Sequence, residues 1–296
     1  MEKRKLPALS FEISPLALGC MSLKGSLKED QQIIDAAVSG GINFFDTADL
    51  YQKGINEEIV GAVLKNRRKE LVLATKVGNQ LRPDGNGWDW NTRKSYILKA
   101  LEESLKRLQT DYIDIYQLHG GTLEDPWDET LEAFDILKSQ GKIRAFGISS
   151  IRPNVIRKVL AMSSPATIMM QYNPLDRRPE EEAFPLIADS NTRVLVRGAF
   201  AKGLLINKSA EPFLDYSATE VKEVRELIGD SGVLPEAFLI HFGLIQPAVG
   251  AIVIGASSVQ QVEKMIFAYQ QHEMISDDLM TDISAKIPLN SYSQHR

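Results

Sequence analysis

Four polar residues stand at or just past the ends of successive apolar runs: Asp46 and Tyr51 after INFF, Lys76 closing LVLATK, and His119 closing YIDIYQLH. A titratable side chain at the carboxyl end of a buried strand is costly to desolvate, so its presence there usually reports a site. The four types together suit delivery of a proton to a carbonyl. Reducing an aldehyde or ketone needs a hydride and an acid beside the carbonyl oxygen, and free tyrosine, with a pKa of about 10, is a slow donor near neutrality. A lysine ammonium beside the phenol favours phenolate and lowers that pKa. A carboxylate such as Asp46 then pairs with the buried Lys76 and holds it charged. His119 supplies a hydrogen bond that orients the carbonyl or relays the proton. Taken singly, each residue is more often structural than catalytic; the order and placement of all four reverse that.

The elements that must position them follow from short apolar runs alternating with longer amphipathic segments, at an interval of roughly 30 to 40 residues. Candidate strands are 16–21, 42–48, 71–77, 112–119, 143–150, 167–173, 193–199 and 251–257. Helices are expected between them. Ser26 or Lys28 opens EDQQIIDAAVSGG and Gly40-Gly41 closes it, Asn56 can cap EEIVGAVLKNR, and Thr92 can start RKSYILKALEESLKRLQ. In the last of these, Ile97, Leu101, Leu105 and Leu108 share one face. Pro126 begins a helix that ends at Gly141, and Pro153, Glu180 and Val259 sit at or near later starts. Eight such units predict an α/β fold, a (β/α)₈ TIM barrel, as a single domain over 1–296, with its site at the carboxyl ends of the strands. KLPALSFEIS reads as an N-terminal β-hairpin capping the opposite end. Two segments exceed the repeat. The stretch from Gly78 to Asn91 should hang over the site, where Trp88 and Trp90 either line a substrate pocket or pack the loop onto the rim. The region from Ile206 to Pro247 holds an apolar helix in which His241 reads as a packed or surface residue.

Composition narrows the partners. With 34 basic and 39 acidic residues spread along the chain and a net charge of -5, there is no electrostatic footprint for nucleic acid. The basic amino terminus lacks the apolar run of a signal peptide and nothing approaches membrane-spanning length, so no membrane is expected and cytoplasmic residence is the default. Cys20 is the only cysteine, which rules out an internal disulfide, and with four scattered histidines no metal site is expected. No coiled-coil pattern specifies an assembly, and the oligomeric state stays open.

Over nearly its whole length the sequence resembles the aldo-keto reductase superfamily. The matching stretches are LALGCM, GINFFDTADLYQKGINEEIVGAVLK, LVLATKVG, SLKRLQTDYIDIYQLHG, GKIRAFGISS, MQYNPLDR, RGAFAKGLL and VIGASSVQQVEK. The resemblance implies reversible, NADPH-dependent reduction of a small-molecule aldehyde or ketone, with Tyr51 as general acid, Lys76 and Asp46 tuning it, and His119 positioning the carbonyl. Gly19, Cys20 and Met21 match the first-strand turn beneath the cofactor, which makes Cys20 a small neighbour of the cofactor rather than a nucleophile. Ser149 and Gln171 match ligands of the nicotinamide carboxamide, and Ser150 replaces the usual Asn, leaving one amide fewer. Arg197 stands where many relatives stack an aromatic ring on nicotinamide; its planar guanidinium can stack and also reach a pyrophosphate oxygen. Gly198, Ala199, Phe200, Ala201, Lys202 and Gly203 match the loop over the pyrophosphate. At the adenine end, Gly255, Ser257, Gln261 and Lys264 fall in the motif after the eighth strand. There Ser257 and Ser258 precede a helix whose N-terminal dipole favours anions, while Gln261 replaces a common arginine, which leaves NADH use open beside NADPH. No GxGxxG fingerprint occurs, as befits a barrel that binds its cofactor across the strand ends.

Two rival readings differ in class. A cofactor-binding sensor or regulatory subunit would keep the tetrad but turn over slowly. A Schiff-base lyase would use Lys76 as a neutral amine, which the neighbouring Asp46 disfavours.

Overall fold

The computed structural model describes residues 1–296. The chain begins with an antiparallel hairpin of β1 (Arg4–Lys5) and β2 (Glu12–Ile13). It continues through β3 (Leu16–Gly19), α1 (Leu27–Ser39), β4 (Phe44–Asp46), α2 (Ile55–Leu64) and β5 (Val72–Val77). A second hairpin, β6 (Asn79–Leu81) with β7 (Trp88–Trp90), precedes α3 (Lys94–Leu108), β8 (Ile113–Leu118), α4 (Trp127–Ser139) and β9 (Ile143–Ser149). Then come α5 (Pro153–Met162), β10 (Thr167–Gln171), α6 (Ala183–Ala188), β11 (Arg193–Arg197), α7 (Ala218–Gly229) and α8 (Pro235–Leu244). Last are β12 (Val249–Gly255), α9 (Val259–His272) and α10 (Asp277–Lys286). The strands β3, β4, β5, β8, β9, β10, β11 and β12 close into a parallel barrel. These are the eight strands expected from the sequence, seven of them trimmed at their ends and the last shifted two residues earlier, to 249–255. No helix is long and apolar enough to cross a membrane.

The core divides at the barrel wall. Successive side chains of a strand point to opposite faces, so Phe44, Ala74, Ile115, Met169 and Leu195 fill the lumen while their neighbours in sequence face the helices. Leu6, Leu9 and Ile13 of the N-terminal hairpin join the luminal cluster and close its floor. Asn43 locks that plug in place, accepting from the Ser14 amide at 2.7 Å and donating to Glu12 O at 3.0 Å. Outside the wall, Ile97, Leu101, Leu105 and Leu108 of α3 are all buried, as their spacing requires. The long region after Ile206 supplies α7, opened by a Ser217 and Glu220 capping box, and α8, an apolar helix with His241 buried in the packing.

Three local expectations differ. Asn56 lies inside α2 rather than capping it, and Gly54, at φ 93°, precedes the helix; the Asn56 side chain instead ties the tops of β3 and β4, as described below. Arg93, not Thr92, flanks the start of α3, and the Thr92 carbonyl accepts the Thr130 hydroxyl at 2.8 Å, which ties it to α4. The segment after Gly78 is not open loop but the β6/β7 hairpin, in which Asn79 pairs with Trp90 and Leu81 with Trp88.

One close approach sets the spacing of α2 and α3. A Cβ on Gly61 would lie 2.6 Å from the Arg107 carbonyl oxygen, against backbone that cannot yield cheaply. Gly61→Ala is expected to cost about 1–3 kcal/mol, the usual penalty of overpacking, in spite of alanine's better helix propensity. Chemical denaturation of the variant beside wild type measures it.

Candidate active site

The two-residue period that fills the lumen also builds the site. Two positions beyond Phe44 comes Asp46, two beyond Ala74 comes Lys76, and Gln117 and His119 follow Ile115 on the same face. Ser149, Gln171 and Arg197 complete the series on β9, β10 and β11. The lower layers of the barrel are therefore apolar and the uppermost layer is polar.

Lys76 is the hub of that layer. Its Nζ donates to Asp46 Oδ2 at 2.6 Å, to Thr47 O at 2.7 Å and to the Tyr51 hydroxyl at 3.4 Å. Side chains of Lys76 and Asp46 are only 1% and 5% exposed. Burial alone would lower the lysine pKa, but the Asp46 carboxylate and Tyr51 outweigh it and raise the pKa above its ordinary value. Gln117 Nε2 donates to the other Asp46 oxygen at 3.3 Å, so both carboxylate oxygens are engaged. Tyr51 opens a turn in which Gln52 and Lys53 adopt left-handed backbone, at φ 50° and 58°. Such conformations cost non-glycine residues about 1 kcal/mol or more each and persist where their surroundings hold them. Here Gln52 Nε2 bonds to Leu23 O at 3.2 Å. The Thr47 hydroxyl donates to Asn56 Oδ1 at 2.6 Å, and Asn56 Nδ2 donates to Cys20 O at 2.9 Å.

His119 stands with its ring edge-on to Tyr51, centroids 6.1 Å apart. Burial first, then the Lys76 and Arg197 cations, lower its pKa to about 3, so the imidazole is neutral near pH 7. Its Nδ1 is buried without a partner, which leaves Nε2 as the nitrogen that meets the cleft. Cys20 is fully buried, and burial followed by the Asp46 charge pushes its thiol well above the ordinary range, which makes it inert as a nucleophile.

A cleft of about 660 Å³ opens over this layer, lined by Tyr51, Lys76 and His119 together with Met21, Trp88, Trp90, Ser149, Ser150 and Arg197. Gln171 touches it through Arg197, accepting from Nη1 at 3.2 Å while its own Nε2 donates to Asp176 at 2.8 Å. Both readings of the tryptophans hold for Trp90. It lines the cleft, and its ring packs so closely on Gly78 and Gly120 that a Cβ at either would approach to 3.0 Å or less. Trp88 stays 46% exposed.

The remaining expected residues lie outside the lining of the cleft. Gly19 ends β3 with Cys20 beneath, and residues 198–203 form the turn beyond β11. In that turn Gly198, Ala201, Lys202 and Gly203 all have positive φ, and a Cβ on Gly198 would stand 3.3 Å from the Gln171 side chain. The gap between the ends of β10 and β11 is thus one that a larger residue would fill, as a cradle for an extended nucleotide requires. Beyond Gly255, Gln261 Oε1 accepts from the Ser257 amide at 2.7 Å, and Lys264 pairs with the buried Glu236 at 2.6 Å. The residues present fit a nicotinamide cofactor.

Sequence reasoning missed Gln117, Asn79, Thr122 and Arg152. Gln117 was legible as the luminal residue two before His119, and Arg152 as the cation just past Ser149-Ser150. Asn79 and Thr122 carried no signal, since only the folded loops bring them to the cleft.

The neutral state of His119 has a consequence for stability. Its folded pKa lies below the ordinary histidine value, so as pH falls from about 6.5 toward 3 the unfolded chain binds a proton that the folded chain does not, and stability is lost at about 1.4 kcal/mol per pH unit. His119→Gln should flatten this part of the acid limb in denaturation midpoints recorded from pH 7 to 4, and an unchanged slope would contradict the assignment.

The aldo/keto reductase family model matches residues 15–287. YqkF of Bacillus subtilis (strain 168), described as an uncharacterized oxidoreductase, is 42% identical over 309 residues covering all of both chains. The aldo-keto reductase yakc [NADP(+)] of Schizosaccharomyces pombe is 32% identical across 70% of this chain and 62% of its own length. Among solved structures, the holo form of aldo-keto reductase AKR11C1 from Bacillus halodurans superposes with a TM-score of 0.95 at 45% identity, covering 100% of this chain and 99% of that one. A closed parallel barrel, a polar layer at the carboxyl ends of its strands and a match along nearly the whole sequence agree: the chain belongs to the aldo/keto reductase family and is an NAD(P)H-dependent oxidoreductase.

Proposed function

We propose that the protein reduces an aldehyde or ketone to an alcohol, reversibly, with NADPH as hydride source and Tyr51 as proton donor. The observation that carries this reading is the single ammonium, Lys76 Nζ, placed between the Asp46 carboxylate and the Tyr51 hydroxyl. When bound, the cofactor supplies the hydride. Everything else falls to the chain. Tyr51 gives its proton to the carbonyl oxygen, and the Lys76 charge offsets the negative charge that develops on the phenol oxygen. Asp46, held by Gln117, keeps that ammonium in place and charged. Neutral His119, carrying its proton on Nε2, donates to the carbonyl oxygen and fixes its direction. Trp88 and Trp90 screen the cleft from water, which strengthens each of these interactions.

Ser149, Ser150 and Gln171 are assigned to the carboxamide, Arg197 to the nicotinamide and adjoining phosphate, and residues 198–203 to the pyrophosphate. NADP(+) in the name of the Schizosaccharomyces pombe relative supports the phosphorylated cofactor. One observation favours use of NADH as well: the Lys264 ammonium is paired with Glu236, and Gln261, which accepts the Ser257 amide, carries no charge, so neither position offers an unpaired cation to a 2'-phosphate.

Initial rates with NADPH and with NADH over a panel of small aldehydes and ketones test the proposal, wild type beside Tyr51→Phe. Tyr51→Phe should lower kcat by about 10²–10⁴ with cofactor affinity retained, because only the acid is removed. A variant that keeps near wild-type turnover would sink the role of Tyr51, and cofactor binding without turnover on any carbonyl would turn the reading toward a sensor.

A further inference from the structure

The cleft that holds Tyr51 and His119 has no aspartate or glutamate in its lining. Asp46 lies beneath it, committed to Lys76. Two guanidiniums face the same space, Arg197 and Arg152, and neither meets a carboxylate: Arg197 donates to Gln171 Oε1, and Arg152 Nη1 donates to the Gly121 carbonyl at 2.9 Å. Arg197 ends β11, where the cofactor contacts are assigned. Arg152 belongs to the other side. It precedes Pro153 at the start of α5 and reaches across to the loop that carries His119 and Gly121. Asp125 in that loop is already engaged, accepting from Trp90 Nε1 at 2.8 Å and from the Thr122 amide at 2.7 Å.

Arg152 is half-buried in a cleft also lined by Trp88, Trp90 and Met21, where the dielectric is lower than in bulk water and attraction to an anion is stronger. With Nη1 fixed on Gly121, the Nε and Nη2 donors of Arg152 have no protein partner; as parallel N–H groups they match the two oxygens of a carboxylate. One free cation of unit charge suits a monoanion. We propose that Arg152 binds a carboxylate on the substrate, so that the site selects aldehydes or ketones bearing an acid group remote from the carbonyl. The proposal rests on the reductase reading of the same cleft.

The test compares 4-carboxybenzaldehyde with 4-methylbenzaldehyde on the NADPH-loaded protein, in wild type, Arg152→Gln and Arg152→Lys. A second readout is tryptophan fluorescence, since Trp88 and Trp90 line the cleft, during titration of the NADP⁺-loaded protein with benzoate and with benzamide. Hydrogen bonds to a charged partner support about a ten- to hundredfold preference. Wild type should favour the carboxylate aldehyde by that factor in kcat/KM, mostly through KM. Arg152→Gln should collapse the ratio toward one and weaken benzoate but not benzamide, and Arg152→Lys should restore part of both. A ratio that Arg152→Gln leaves unchanged overturns the proposal, as does a loss of NADPH affinity in its place, which would return Arg152 to the cofactor. Tyr51-dependent reduction of 4-methylbenzaldehyde with no preference for the acid overturns it while leaving the reductase reading intact. Reduction of neither aldehyde, with Arg152-dependent benzoate binding, supports the anion site and counts against the reductase reading.

Discussion

A buried ammonium and carboxylate, Lys76 and Asp46, hold 2.6 Å apart at the carboxyl ends of adjacent barrel strands, and the site is arranged around them. Neither charge is tolerable there alone. Lysine beside Tyr51 is useful only while it stays charged, and it stays charged because the carboxylate is fixed by Gln117 on the far oxygen. The Thr47 carbonyl takes a further ammonium proton, so the end of β4 and the residue after it supply two of the three acceptors, and β4 must be set accurately against β5. Burial first, and then the same cation with Arg197, keep His119 neutral. One ion pair thus gives the neighbouring tyrosine and histidine different tasks.

The barrel provides that accuracy through register. Side chains alternate across the wall, so the luminal position two steps above an apolar residue is the next one to face inward, and a slip of one residue on any strand would turn its polar group out toward the helices. The luminal layers and the hairpin plug below are apolar and buried, which fixes the height of the polar layer above them. Strain is concentrated where position matters most, in the left-handed turns at 52–54 beside Tyr51 and 201–203 beyond β11.

Much of this was legible in the sequence because it follows from periodicity and strand-end placement. The eight strands, the floor hairpin, the apolar face of α3 and the four residues Asp46, Tyr51, Lys76 and His119 each carry a local signal. What was not legible depends on partners far apart in the chain. Asn56 has the chemistry of a helix cap, yet it is drawn away by Thr47 and Cys20, and Thr92 gives its carbonyl to a residue of α4. Segment 79–91 reads as loop because its strands are three residues each and its turn is rich in glycine, yet the hairpin pairing places Trp90 and Asn79 over the cleft. Lys264 reads as a cofactor contact until Glu236, on α8, is seen to hold it.

The measurement that bears most directly on this account is a double-mutant cycle on the ion pair, Lys76→Met, Asp46→Leu and both together, read by equilibrium denaturation and by turnover with an aldehyde. Each single change should cost about 3–5 kcal/mol of stability by stranding a buried charge, whereas the double variant should recover most of that loss and still lack reductase activity. Additive losses of stability, or a double variant that turns over like wild type, would mean that the pair is not what holds this site together.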